Sequence, residues 1–143
     1  MAEEIIQVKD LKVHYPIRSG FWNRITDYVR AVDGVSFSIK EGETYGLIGE
    51  SGSGKSTTGK AIVGVEKVTS GQILYKGEDI TKESVRRKMN YNKDVQMIFQ
   101  NPFDSLDPRM TIRDTIREPL QTHRLFAGKK ATKAMDDRVA ELL

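Results

Sequence analysis

A chain of 143 residues is long enough for one domain with a modest core, and 38% hydrophobic with 30% charged residues excludes a disordered polymer. Its 23 basic and 20 acidic side chains leave a formal charge of +3, too small to argue for a nucleic-acid partner, while zero cysteines exclude disulfides, thiolate metal sites and cysteine nucleophiles. No run approaches the roughly 18 apolar residues of a membrane helix, and Met1-Ala2-Glu3-Glu4 opens with acid where a secretory signal carries base, so a cytosolic-side protein is expected.

Near the N-terminus Ile6 and Val8, then Leu11, Val13 and Tyr15, alternate with polar residues on either side of a Lys9-Asp10 break. That pattern predicts a half-buried strand pair or one bulged strand, ended by Pro16. Between Arg18 and Tyr28, the apolar Phe21, Trp22 and Ile25 lie among Ser, Gly, Asn and Asp, the composition of a loop with an apolar patch or a short amphipathic turn. Trp22 there either anchors the loop to the domain, the commoner case, or meets a partner or a membrane surface. Val35, Phe37 and Ile39 then alternate with Ser36, Ser38 and Lys40, which adds a second strand and predicts an antiparallel sheet before Glu41-Gly42-Glu43 turns the chain.

The apolar run Thr44-Tyr45-Gly46-Leu47-Ile48 reads as a strand buried on both faces of a parallel sheet. It leads into Gly49-Glu50-Ser51-Gly52-Ser53-Gly54-Lys55-Ser56-Thr57, which fits the phosphate-binding pattern G-x-x-x-x-G-K-[S/T], and Thr58, Ala61, Ile62 and Val65 follow at helical spacing. A triphosphate has to be wrapped by backbone N–H groups, and Gly49, Gly52 and Gly54 let the main chain come close. A helix starting near Lys55 aims its unpaired N–H groups and positive dipole end at the same phosphates. In that pattern Lys55 reaches the β- and γ-phosphates, the Ser56 hydroxyl binds Mg²⁺, and Thr57 sits beside the α-phosphate.

Past the predicted helix end at Gly64, Thr69-Ser70-Gly71 introduces a short strand from Gln72 to Tyr75, and Lys76-Gly77 signals a turn. A helix beginning after Thr81 runs through Ser84-Val85-Arg86-Arg87-Lys88, whose basic run is a solvated face or, less commonly, a phosphate-facing patch. Asp94 to Gln100 reads as a strand with Val95, Met97, Ile98 and Phe99 apolar, stopped by Pro102. Residues 101–109 hold two prolines among Asn, Asp and Ser and form a loop. Thr111 with Asp114 resembles a capped helix start, and Ile112 and Ile116 continue its apolar face until Pro119 kinks or ends it. From Lys130 the pattern is helical again, with Met135, Val139 and Leu142 as an apolar stripe that no Gly, Asn or Pro closes, so the chain is expected to stop inside an element.

Ala31-Val32-Asp33-Gly34-Val35-Ser36-Phe37, the run Gly46 to Thr57, Val95-Gln96-Met97-Ile98-Phe99-Gln100 and Ser105-Leu106-Asp107-Pro108-Arg109-Met110 together resemble the ATP-binding subunits of ABC transporters, in particular the oligopeptide and dipeptide importer group. The resemblance extends over essentially the whole chain. It implies a P-loop α/β core with an antiparallel β subdomain and the start of a helical subdomain: residues 1–43 mainly antiparallel β, 44–100 the P-loop core, and 101–143 a loop and the first helices. It implies that Tyr15 stacks on adenine, whereas spacing alone favours an ordinary core or surface aromatic. It also implies that Gln100 reaches Mg²⁺ and the attacking water, which an amide's carbonyl oxygen and N–H suit. The cofactors implied are ATP and Mg²⁺. The implied partners are a second, homologous ATP-binding subunit in a heterodimer and transmembrane permease subunits, without nucleic acid, at the cytoplasmic face of the membrane.

The family's S-G-G-Q-like signature, its apolar strand ending in Asp-Glu and its later switch histidine have no counterpart in these 143 residues, and neither His14 nor His123 is a candidate for the switch. The chain is therefore expected to be the N-terminal portion of an ABC-type ATPase, inactive in hydrolysis by itself. The alternatives are a non-hydrolysing nucleotide-binding fragment and an ABC-type ATPase of DNA repair. A GTPase or small kinase would want base-reading motifs or a lid, which are not found.

Overall fold

The computed structural model describes residues 3–20, 22–101, 103, 106–128 and 131–143. Phe21, Pro102, Asp104, Ser105 and Lys130 lie outside the described residues. The chain folds as two units, Met1–Met97 and Ile98–Leu143.

The first unit is built on an antiparallel sheet of β1 (Glu4–Ser19), β2 (Arg24–Lys40), β3 (Ser70–Tyr75) and β4 (Glu78–Asp79), in the order β2-β1-β3-β4. Alternation in β1 and β2 sends one side chain in two to the core, and Ile6, Val8, Leu11, Val13 and Val32 are buried together with Ile73 and Tyr75 of β3. The Lys9-Asp10 break is a bulge inside one continuous strand. Asp10 takes φ +45°, the register slips there against both neighbours, and the Asp10 N–H donates to Ser36 Oγ at 2.8 Å. A Cβ on Gly71 would lie 2.2 Å from the Asp10 carbonyl oxygen, so only glycine lets β3 pass so close to the bulge.

Several sequence expectations change here. Pro16 does not end β1, which pairs Pro16 with Tyr28 and runs on to Ser19; β3 leaves β1 at Lys12, so at Pro16 the strand has one neighbour and a missing N–H costs no ladder bond on the open side. The predicted loop from Arg18 to Tyr28 is the end of a β1–β2 hairpin, closed by a turn in which the Asn23 N–H donates to Gly20 O at 3.1 Å. Trp22, at that turn, is 80% exposed and does not bury against the domain. Residues 44–48 and 94–100 are not strands: the first stretch is irregular, with Ile48 99% exposed, and the second opens on the helical turn Tyr91–Asp94 and continues irregularly. Parallel strands exist only as a ladder, and the sheet among the described residues is antiparallel and offers them no register. What holds the first segment is an aromatic stack, Tyr45 on Phe37 of β2 at 4.9 Å between centroids.

Among the described residues three helices complete the unit: α1 (Lys55–Ile62), α2 (Glu83–Lys88) and the single turn α3 (Tyr91–Asp94). Thr58 and Ala61 are the buried positions of α1, which stops at Ile62 with Gly64 left-handed at φ +81°, so Val65 lies beyond it. Tyr91 is buried edge-on to Tyr75, and its hydroxyl donates to the Ile62 carbonyl oxygen at 2.9 Å. Burial pushes its phenol well above the ordinary value.

In the second unit, α4 (Ile112–Thr122) begins where Thr111 accepts from the Asp114 N–H at 3.2 Å. It continues through Pro119 to Thr122 without ending there. Asp136 of α5 (Ala131–Leu142) joins it through Arg113 at 3.1 Å and Arg117 at 3.4 Å. Met135 and Val139 are the buried residues of α5, while Leu142 is half exposed.

Candidate nucleotide site

Helix α1 starts at Lys55 because Gly54 turns the chain through φ +86°. A Cβ on Gly54 would lie 2.2 Å from the Ala31 carbonyl oxygen, so the loop is pressed against β2 as only glycine allows. The Thr58 N–H and Oγ1 both donate to the Gly54 carbonyl oxygen, at 2.8 and 3.0 Å, which fixes the first turn. Before it, the Ser53 N–H donates to Glu50 O at 3.2 Å and makes the loop a closed turn. Lys55 folds back over that turn: Nζ donates to Gly49 O at 2.8 Å, Glu50 O at 2.6 Å and Ser53 Oγ at 3.1 Å.

The result is a cleft of about 150 Å³ lined by Ala31 and by Gly52 to Thr57. No side chain caps the N-terminus of α1 and its first turn holds no acid. The positive end of the helix dipole and the Lys55 ammonium therefore sit together without an opposing carboxylate in that turn, which fits an anionic ligand approached by backbone N–H groups. The strand that the pattern expects before the loop is absent, so the loop keeps its shape through its own turn and its seat on β2.

Tyr15, in β1 opposite Val29, is brought to this loop. Its phenol interacts with the Glu66 carboxylate and the Thr57 hydroxyl. Loss of water and then Glu66 push the phenol above its ordinary value, while Thr57 pulls the other way. The segment carrying Glu66 is tied to β1, since the Thr69 N–H donates to Lys12 O at 2.8 Å and the His14 N–H to Thr69 Oγ1 at 2.9 Å. Sequence reasoning missed Glu66, because nothing in its spacing marks a residue that arrives through the end of a helix. The structure thus gathers Tyr15 with Gly49, Glu50, Ser51, Gly52, Ser53, Gly54, Lys55, Ser56 and Thr57 in one unit. Gln100 belongs to the other, exposed in an irregular stretch. Among the described residues no group of three or more His, Asp or Glu could hold a metal ion.

Residues 32–143 match the ABC transporter family, more than half of the chain. The chain belongs to that family. It is 59% identical over 140 residues to the oligopeptide transport ATP-binding protein OppF of Lactococcus lactis subsp. lactis (strain IL1403), a match that takes in 98% of this chain and 43% of that protein. Against the glutathione import ATP-binding protein GsiA of Escherichia coli O157:H7 the identity is 46%, over 99% of this chain and 22% of the relative. The chain thus spans less than half the length of these relatives. A solved structure described as a dimeric bacterial ABC transporter cassette superposes with a TM-score of 0.72 at 25% identity, covering 95% of this chain and 54% of that one. The α/β fold class expected from the sequence, part of an ABC cassette with an antiparallel sheet and helices, is the one found. No helix among the described residues is long and apolar enough to cross a membrane.

Proposed function

We propose that this chain carries the nucleotide-binding part of an ATPase subunit that energises import of oligopeptides or dipeptides through an ABC transporter. The observation that carries the reading is the loop of residues 49–57, with Lys55 and an uncapped helix end facing one cleft, in a chain 59% identical to an oligopeptide transport ATP-binding protein. ATP binds with its phosphates against the loop N–H groups. Lys55 exchanges its three loop acceptors for β- and γ-phosphate oxygens, a trade of neutral acceptors for charged ones. Mg²⁺ bound with the nucleotide would neutralise phosphate charge, with the Ser56 hydroxyl and the Gln100 amide as its ligands; Gln100 would also orient the attacking water. Tyr15 offers its ring face to adenine, on the flank of the loop where its hydroxyl meets Thr57. The proposed partners are a second, homologous ATP-binding subunit and permease subunits at the cytoplasmic face of the membrane; nucleic acid is not among them.

Titration with Mg·ATP tests the site. Lys55→Ala should lose about 2–5 kcal/mol of binding, the range for truncating one member of a close charge pair, and Tyr15→Ala about 1–3 kcal/mol, each with an unchanged circular dichroism spectrum. Unaltered affinity in the lysine variant would sink the phosphate assignment. The substrate is tested separately, by uptake of a labelled oligopeptide in cells whose copy of this gene is disrupted. Undiminished uptake there refutes peptide import and leaves the nucleotide site standing.

A further inference from the structure

Beyond Lys12, where β3 stops pairing, β1 and β2 continue as a two-stranded ribbon with no third strand on either side among the described residues. Such a ribbon is marginal in water by itself, and this one is unusually apolar. Ile17, Ile25, Tyr28 and Val29 are each between 42 and 51% exposed, and Trp22 stands at the turn. Cross-strand pairing puts Ile17 and Val29 on one face, while Pro16 and its partner Tyr28 lie on the other, so both faces carry apolar side chains. Arginines accompany them: Arg18, Arg24 and Arg30 are exposed, against Asp27 as the single acid between Pro16 and Arg30. That stretch carries three arginines against one aspartate, with Arg30 also paired to Asp33 at 3.6 Å.

We infer that the tip of this β1–β2 hairpin docks into the headgroup layer of an anionic phospholipid surface. A partner protein laid against the ribbon would cover one face and leave the other wet, whereas a fluid interface surrounds the tip and covers both. Tryptophan at the turn and arginines behind it match the layering of that interface, rings at headgroup level and cations against lipid phosphates. Unpaired backbone groups along the ribbon's open edges limit entry to the headgroup layer, since in hydrocarbon they would have no partners. The contact is additional to any attachment through permease subunits and does not depend on nucleotide.

Trp22 is the chain's single tryptophan, so its fluorescence reports the tip directly. With vesicles of phosphatidylcholine containing a third phosphatidylglycerol, at low salt, the emission should shift to the blue and the full chain should sediment with the lipid. Vesicles of phosphatidylcholine alone should bind at least tenfold more weakly. Exchanging Arg18→Gln or Arg24→Gln should each weaken binding about fivefold, the effect of one basic residue near an anionic surface; Lys55→Ala should leave it unchanged. The inference is overturned by an unshifted emission with anionic vesicles, by equal binding to both vesicle types, or by a blue shift that grows with protein concentration without lipid, which would assign the tip to a second copy of the chain.

Discussion

β1 and the segment of residues 44–48 lie in the same unit and are both rich in residues that favour strands, yet one is the spine of a sheet and the other is irregular chain. β1 has β2 along its whole length on one side and β3 along its first half on the other, so the N–H and C=O groups of that first half are used on both sides and Leu11 is wholly buried. Residues 44–48 have no ladder neighbour among the described residues, and their apolar side chains stay in water apart from the stack of Tyr45 on Phe37. A strand is a property of a pair of segments; propensity in one of them makes it available and no more.

The widest gap should appear on truncation. Leu11→Ala is expected to destabilise the unit by about 2–5 kcal/mol, as a large-to-small change in a packed core does, and Ile48→Ala to stay within about 0.5 kcal/mol. Urea unfolding of the two variants measures both, and comparable losses would mean that residues 44–48 are packed in solution. A smaller effect sharpens the account of the sheet's core. Tyr91 is held neutral by burial, with its folded pKa above the ordinary phenol value of 10.0. Its contribution is therefore complete below about pH 10, where the phenol of the unfolded chain is also protonated, and declines at higher pH as the unfolded chain releases a proton that the folded one retains. Tyr91→Phe should flatten that alkaline decline while costing about 0.5–1.5 kcal/mol near neutrality for the bond to Ile62 O. A decline equally steep in both proteins would assign it to other groups. Most local is Thr111→Ala, about 1 kcal/mol from the lost cap of α4, read by amide exchange in that helix. Helix α4 needs no ladder partner, so the effect should remain confined to it; spread into β1 would contradict the division into two units.

Elements whose signals are local were legible. The alternation of Ile6 to Val13, the Lys76-Gly77 turn between β3 and β4, the cap at Thr111 and the glycine at the end of α1 all lie where the residues put them, because turns, caps and amphipathic faces are decided within a few residues. The turn of residues 49–57 that leads into α1 belongs to the same class, because its glycines act through backbone geometry of their own. The role proposed for Tyr15 comes from the resemblance alone, since an aromatic residue in a strand carries no mark of a ligand.

What the amino-acid sequence determined by itself was the family, the loop that turns into α1 and the apolar positions of the sheet, all of which rest on short-range pattern. Tertiary structure alone decided that β1 passes through Pro16 into a long ribbon with Trp22 exposed at its end, that Glu66 arrives beside Tyr15, and that two apolar runs remain outside any sheet. Each of those outcomes depends on which distant segment supplies hydrogen-bond partners or cover, and neither periodicity nor propensity along one stretch of chain carries that information.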